Sequence, residues 1–268
     1  MPSRRHARTM SPGRKAVLTM DPAWHDDDRF WETFYPVMFH AGRWEAAADE
    51  AVEAAALLEL PKGAEILDFC CGPGRHAIEL ANLGYGITGL DRTQRYLDIA
   101  REKAGEVGVQ ATFVQGDARL HEWDRSFDAA LSLYTSFGYF EDPGEDRMML
   151  SNVHAALGPG GRILLDMSGK EVVARAFAAD SSEILPDGTK LTESRTVEPD
   201  WEWVRNTWVI DKDGQRHETT FRVRVYPGVE LKAVLLSVGF SDVRLYGSLD
   251  GTPYDQQARR EVAVAAKP

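Results

Sequence analysis

Between residues 61 and 166 short apolar runs alternate with amphipathic stretches, the arrangement of parallel strands joined by helical crossovers. Candidate strands fall at 65–69, 86–90, 111–115, 127–133 and 162–166, with helices between them. Over 94–106, Tyr96, Leu97, Ala100 and Ala104 recur near helical spacing, and Gly108 marks a stop. Residues 145–157 form another helix. The string Gly158-Pro159-Gly160-Gly161 ends it and reads as a tight turn into the fifth strand. The class is α/β.

After Ser168 and one short helix the period changes. Residues 183–226 read as strands punctuated by Pro186-Asp187-Gly188 and Lys212-Asp213-Gly214, both hairpin signals, so an antiparallel insert follows strand five. Residues 229–238 are helical, and 240–246 and 260–265 supply two closing strands around a long loop. Upstream, residues 29–60 read as two helices, aromatic early and alanine-rich late. The expected organisation is a disordered basic leader (1–20), a helical cap (21–60), the core (61–168), the insert (169–228) and a closing helix with strands (229–268).

A chain of 268 residues can bury a substantial core, and 43% hydrophobic with 27% charged residues excludes a disordered or low-complexity chain. No apolar run reaches the roughly 18 residues that span a bilayer, so no membrane partner is expected. Cys70 and Cys71 are the only cysteines and are adjacent. They provide neither a disulfide framework nor a CxxC metal clip, so no metal is expected and a cytoplasmic setting fits. Five of the 31 basic residues lie within the first 20, which hold no acid, leaving 26 against 42 acidic side chains in the remainder. Such a body repels polyanions, which leaves a small-molecule substrate and no nucleic acid partner.

The chemistry concentrates where Ile66-Leu67-Asp68-Phe69 runs into Cys70-Cys71-Gly72-Pro73-Gly74 and then Arg75-His76-Ala77. A glycine turn between strand and helix exposes backbone N–H groups and lets a ligand approach the main chain. Taken alone it also satisfies a loose dinucleotide fingerprint, so an NAD-dependent oxidoreductase is one reading. Asp68 argues against it, because a pyrophosphate gains nothing from a carboxylate at the strand end, whereas a cationic ligand does. Asp91 ends the second strand 23 residues later, where an acid accepts ribose hydroxyls, and Asp117 with Ala118 ends the third. Ligands of open α/β sheets sit outside these strand ends.

With Asp68-x-Cys70-x-Gly72-x-Gly74 in place of acid-x-Gly-x-Gly-x-Gly, the segment 63–166 resembles the class I S-adenosylmethionine-dependent methyltransferases, in their small-molecule branch. The resemblance implies a Rossmann-like seven-stranded, mostly parallel sheet with an antiparallel last strand, the insert and cap lying outside it. It also implies S-adenosyl-L-methionine as cofactor and methyl transfer to an amine or hydroxyl of a metabolite by in-line displacement. By the same resemblance Asp68 lies by the methionine amino group, Asp91 on the ribose, Asp117 and Ala118 at the adenine, and Leu133 on the methionine side. Cys70, Gly72, Gly74, Arg75, Arg92, Tyr35 and Trp44 complete the expected cofactor set. An RNA- or protein-type acceptor is disfavoured because Leu133-Tyr134-Thr135-Ser136 stands where an Asn/Asp-Pro-Pro-aromatic motif would lie. Tyr35, His40 and Tyr139 are the candidate catalytic residues, and Tyr35, His40, Trp44, Tyr134 and Tyr139 the candidate substrate lining. A module that binds the cofactor without turnover is the remaining alternative.

Overall fold

The computed structural model describes residues 24–268. The expected leader and the first residues of the expected cap lie outside the described residues. The cap region opens with a short 3-10 turn (Trp24–Asp26) and helices α1 (Asp28–Thr33), α2 (Tyr35–Met38) and α3 (Ala41–Leu57). These are three helices where the periodicity predicts two. Pro36 in the first turn of α2 starts a new helix because its ring cannot accept the preceding helical ladder, and Phe34 caps both pieces.

Strands β1 (Glu65–Phe69), β2 (Gly86–Asp91), β3 (Thr112–Gln115), β4 (Phe127–Ser132) and β5 (Leu157–Met167) alternate with α4 (Arg75–Asn82), α5 (Gln94–Val107) and α6 (Pro143–Ala156). The chain continues through α7 (Lys170–Arg175), four insert strands β6 (Asp180–Ile184), β7 (Lys190–Val197), β8 (Trp203–Lys212) and β9 (Gln215–Arg224), then α8 (Gly228–Ser237), β10 (Ser241–Tyr246) and β11 (Glu261–Ala266). Seven strands form one sheet in the order β10-β11-β5-β4-β1-β2-β3, and β6 to β9 form a separate antiparallel sheet. Pairing is parallel from β3 to β5, and β11 runs antiparallel to both its neighbours. This is the Rossmann-like sheet expected. The strand order reverses between β1 and β4, so the crevice opens at the carboxyl ends of those two strands.

Alternate residues of the central strands enter opposite layers, the two-residue period of a sheet buried on both faces. Ile66, Ala129, Leu131 and Leu164 pack with the alanines of α3 and with Leu80 and Leu97. Leu67, Phe69, Ala130 and Leu165 pack with Leu150 of α6 and Leu231 of α8. A third cluster joins the cap to the insert, with Trp24 4.9 Å and Phe30 5.3 Å from the Phe221 ring. The glycine string 158–161 is inside β5 rather than ahead of it. Partners shift from Phe127↔Leu157 to Ala129↔Arg162, so the string is a bulge, with Gly160 at φ 76°. Between β7 and β8 the chain turns through Pro199–Trp201, a break that carries no glycine signal.

Candidate functional site

The turn after β1 requires left-handed backbone three times, at Cys70 (φ 60°), Gly72 (φ 56°) and Gly74 (φ 77°). A Cβ on Gly74 would stand 2.8 Å from that of Ala100 on α5, which is why α4 can lie so close to its neighbour. The turn borders two adjoining cavities. One is a cleft of about 110 Å³ over the ends of β1, β2 and β3; the other is an open chamber of about 640 Å³ lined by the core, the cap and the insert. Cys70, Gly72, Ser136 and Tyr139 belong to the walls of both.

Asp91, Asp117 and Ala118 line the cleft. Asp91 accepts the Gly72 N–H at 2.8 Å on one oxygen and the Thr93 N–H at 2.9 Å on the other; burial pushes its carboxyl up, opposed by those donors. Asp117 is likewise penalised by burial, but the hydrogen bonds of Arg119 outweigh that and hold it below its usual range. Arg119 spans Asp117 and Glu145 (2.6 Å) and rests 4.4 Å over the Phe140 ring. Arg92 also borders the cleft, yet its guanidinium is engaged by the cap: it donates to His25 O (3.1 Å), Asp26 O (2.8 Å) and Asp28 Oδ1 (3.1 Å). Tyr96 adds a bond to Trp31 O at 2.6 Å, so residues 25–31 roof the cleft.

Asp68 faces the chamber instead. It is 3% exposed, and its Oδ2 has no hydrogen-bond partner among the described residues. Burial, then the charge of Asp91, pushes its carboxyl up to about 8. Leu133, Arg75, Arg43 and Tyr134 line the same chamber. Arg75 is buried and donates to Arg43 O at 2.7 Å and to Glu50 at 3.2 Å. Glu50 also accepts from His76 Nε2 at 2.7 Å and from the Tyr134 hydroxyl. Burial would raise its carboxyl, but these donors and Arg75 hold it down at about 2. His76 is thus a buried anchor of this network.

His40 and Tyr139 border the chamber; Tyr35 and Trp44 border neither cavity. The Tyr35 ring packs on Phe39 and Tyr96, and Trp44 lies under Lys103 Nζ at 4.7 Å, facing α5. Both side chains turn towards α5, which carries Tyr96 and Lys103. Gly74 also borders neither cavity and serves helix packing. Sequence reading missed Arg43, Glu50, Arg119 and Trp31. Glu50, three residues after Ala47 and four before Ala54, shares the face of these buried alanines, and that spacing was the available sign of a buried polar network.

Residues 66–161 match a family described as "Methyltransferase domain". A putative methyltransferase of Bacillus subtilis (strain 168), YqeM, is 25% identical over 225 residues, covering 78% of this chain and 86% of that protein. Through that domain the chain is an S-adenosylmethionine-dependent methyltransferase, similar to the class I enzymes. The fold of this methyltransferase is similar to that of an S-adenosylmethionine-dependent methyltransferase from Clostridium acetobutylicum ATCC 824, at TM-score 0.74, 15% identity, and coverage of 90% of this chain and 98% of that one. A third relative, the dTDP-3-amino-3,4,6-trideoxy-alpha-D-glucopyranose N,N-dimethyltransferase of Streptomyces venezuelae, is 31% identical over 132 residues, or 48% of this chain and 54% of its own. The methyltransferase uses S-adenosylmethionine, and the unmatched buried oxygen of Asp68 fits a ligand that carries an ammonium group. Among the described residues no cluster could hold a metal ion, and no helix is long and apolar enough to cross a membrane.

Proposed function

We propose that this methyltransferase acts on an amine or hydroxyl of a small metabolite held in the 640 Å³ chamber. The supporting observation is the shared wall: Cys70, Gly72, Ser136 and Tyr139 border both cavities, so an acceptor in the chamber meets the cofactor where the two spaces join. The Streptomyces venezuelae relative is named for N,N-dimethylation of an amino sugar, which favours an amine.

The cofactor supplies an electrophilic methyl group when bound. Asp68 takes its ammonium, and the guanidinium of Arg43, supported by Arg75, takes its carboxylate. Asp91 receives the ribose hydroxyls, and Asp117 with Ala118 borders the base. The cap and the insert sheet exclude water and restrict the acceptor's orientation, from which roughly 7–11 kcal/mol of barrier lowering can come. Burial pushes the Tyr139 phenol far up, so it stays protonated and orients groups by hydrogen bonding. Burial and the charge of Arg43 lower His40, whose buried Nδ1 has no partner among the described residues. His40 is therefore neutral at pH 7 and is the base for an acceptor that must lose a proton.

The test is release of S-adenosylhomocysteine from S-adenosylmethionine across a panel of small amines and alcohols. Turnover of at least one, with kcat lowered roughly 100-fold in His40→Gln at unchanged cofactor affinity, is the expected result. Tight cofactor binding without turnover on any member would favour a binding module instead.

A further inference from the structure

Three guanidinium groups surround one phenol ring. Arg75 Cζ lies 4.0 Å from the Tyr134 ring centroid, Arg43 Cζ 4.4 Å and Arg260 Cζ 5.3 Å. Two of them have counter-ions: Arg75 meets Glu50, and Arg260 meets Asp166 at 2.6 Å. Arg43 forms no ion pair among the described residues, although it is largely removed from water and has two like charges as neighbours. Repulsion from those neighbours favours swinging such a cation away, whereas the negative face of an aromatic ring attracts it.

The ring is itself held at both ends. Tyr134 and Thr135 both have φ 64°, a left-handed pair that a tyrosine adopts only when the surroundings impose it. Asp166 imposes it, accepting the Tyr134 N–H on its carboxylate at 3.0 Å and the Thr135 N–H on its backbone oxygen at 2.9 Å. At the other end the hydroxyl donates to Glu50. Arg43, Tyr134 and Asp68 line the same chamber, so an unmatched cation and an unmatched carboxylate share one space.

We propose that Tyr134 is a positioning residue: its fixed ring holds the Arg43 guanidinium where it receives the carboxylate of the cofactor's amino-acid end, opposite the ammonium on Asp68. This rests on the assignment of Asp68 and Arg43 made under the proposed function.

The test compares binding of S-adenosylhomocysteine, which has the amino-acid end, with 5′-methylthioadenosine, which lacks it, by titration calorimetry. Tyr134→Asn removes the ring but suits left-handed backbone, so the loop is preserved. It should weaken S-adenosylhomocysteine about tenfold, within the range of a cation–π contact, and leave methylthioadenosine unchanged. Tyr134→Phe loses the bond to Glu50 but keeps the ring and its backbone anchor on Asp166, and Glu50 retains Arg75 and His76, so binding should stay within about twofold of wild type. Tyr134→Gly, which is free at positive φ, must repeat the selective loss if the asparagine variant does not fold. Equal weakening of both ligands, or no weakening of S-adenosylhomocysteine, would overturn the role of Tyr134. A wild-type protein that binds the two ligands equally would overturn the underlying assignment as well.

Discussion

Gly72 donates its backbone N–H to Asp91 Oδ2 at 2.8 Å, tying the tip of β2 to the turn that follows β1. The acid thus steadies the glycine turn while lining the cleft proposed to seat the cofactor. Asp91→Ala should weaken cofactor binding about 10- to 100-fold, the loss of one or two hydrogen bonds to a charged group, while the thermal transition stays cooperative. A dissociation constant unchanged by the substitution would remove Asp91 from the site.

Cofactor binding is expected to be proton-linked, with Asp68 taking the ammonium as proposed. Its carboxyl, ordinarily near 3.8, is at about 8 in the folded chain, so at pH 7 it is mostly protonated. A bound ammonium favours the ionised form. Binding should therefore release protons at pH 7, and affinity should rise with pH until about 8 and then level. Calorimetry in buffers of different ionisation enthalpy measures the release, and Asp68→Asn should abolish it. The same shift affects the cofactor-free protein. The protonated acid favours folding, so its contribution is full below pH 3.8 and is lost as pH rises through 8. The asparagine variant should lack that part of the slope in a denaturant series.

Cys70 occupies a left-handed position that glycine adopts without cost. Cys70→Gly relieves roughly 1–2 kcal/mol of backbone strain but adds about 0.5–1 kcal/mol of unfolded-chain entropy and loses some packing. The two effects oppose, and the midpoint of urea unfolding should barely move. Cys70→Val should cost about 2 kcal/mol or more, because a branched Cβ fits that backbone worst. Both thiols are driven well above their usual range by burial, so thiol reagents at pH 8 should label the native protein far more slowly than the unfolded chain.

Arg92 latches residues 25–28 over the cleft through three oxygens. Arg92→Ala should speed amide exchange in α1 and the turn before it, and weaken the cofactor about three- to tenfold, as expected for modest, partly exposed hydrogen bonds. Exchange rates identical to wild type would show that the roof is held by its aromatic packing alone.

The sheet was legible because buried parallel strands leave short apolar runs that nothing else in an α/β chain imitates, and Ile66 and Leu67 entering opposite layers is the physical content of that signal. The acids at the strand tips were legible for a related reason: a charge at the end of an apolar run needs a cause. What escaped was long-range. Tyr134 and Glu50 stand 84 residues apart and Arg260 and Asp166 94, so no local spacing records either pairing. Local signals also misled where two structures share one composition. The glycines at 158–161 serve a bulge as well as a turn, and the aromatics of α2 and α3 carry the same spacing whichever side they face. Tyr35 and Trp44 lie outside both cavities, while His40 and Tyr139 border the chamber.

One stretch of backbone, residues 24–39, gives Trp31 and Phe39 to both compartments. A change at either side chain therefore reshapes both spaces at once, and neither compartment can be altered from this segment without the other.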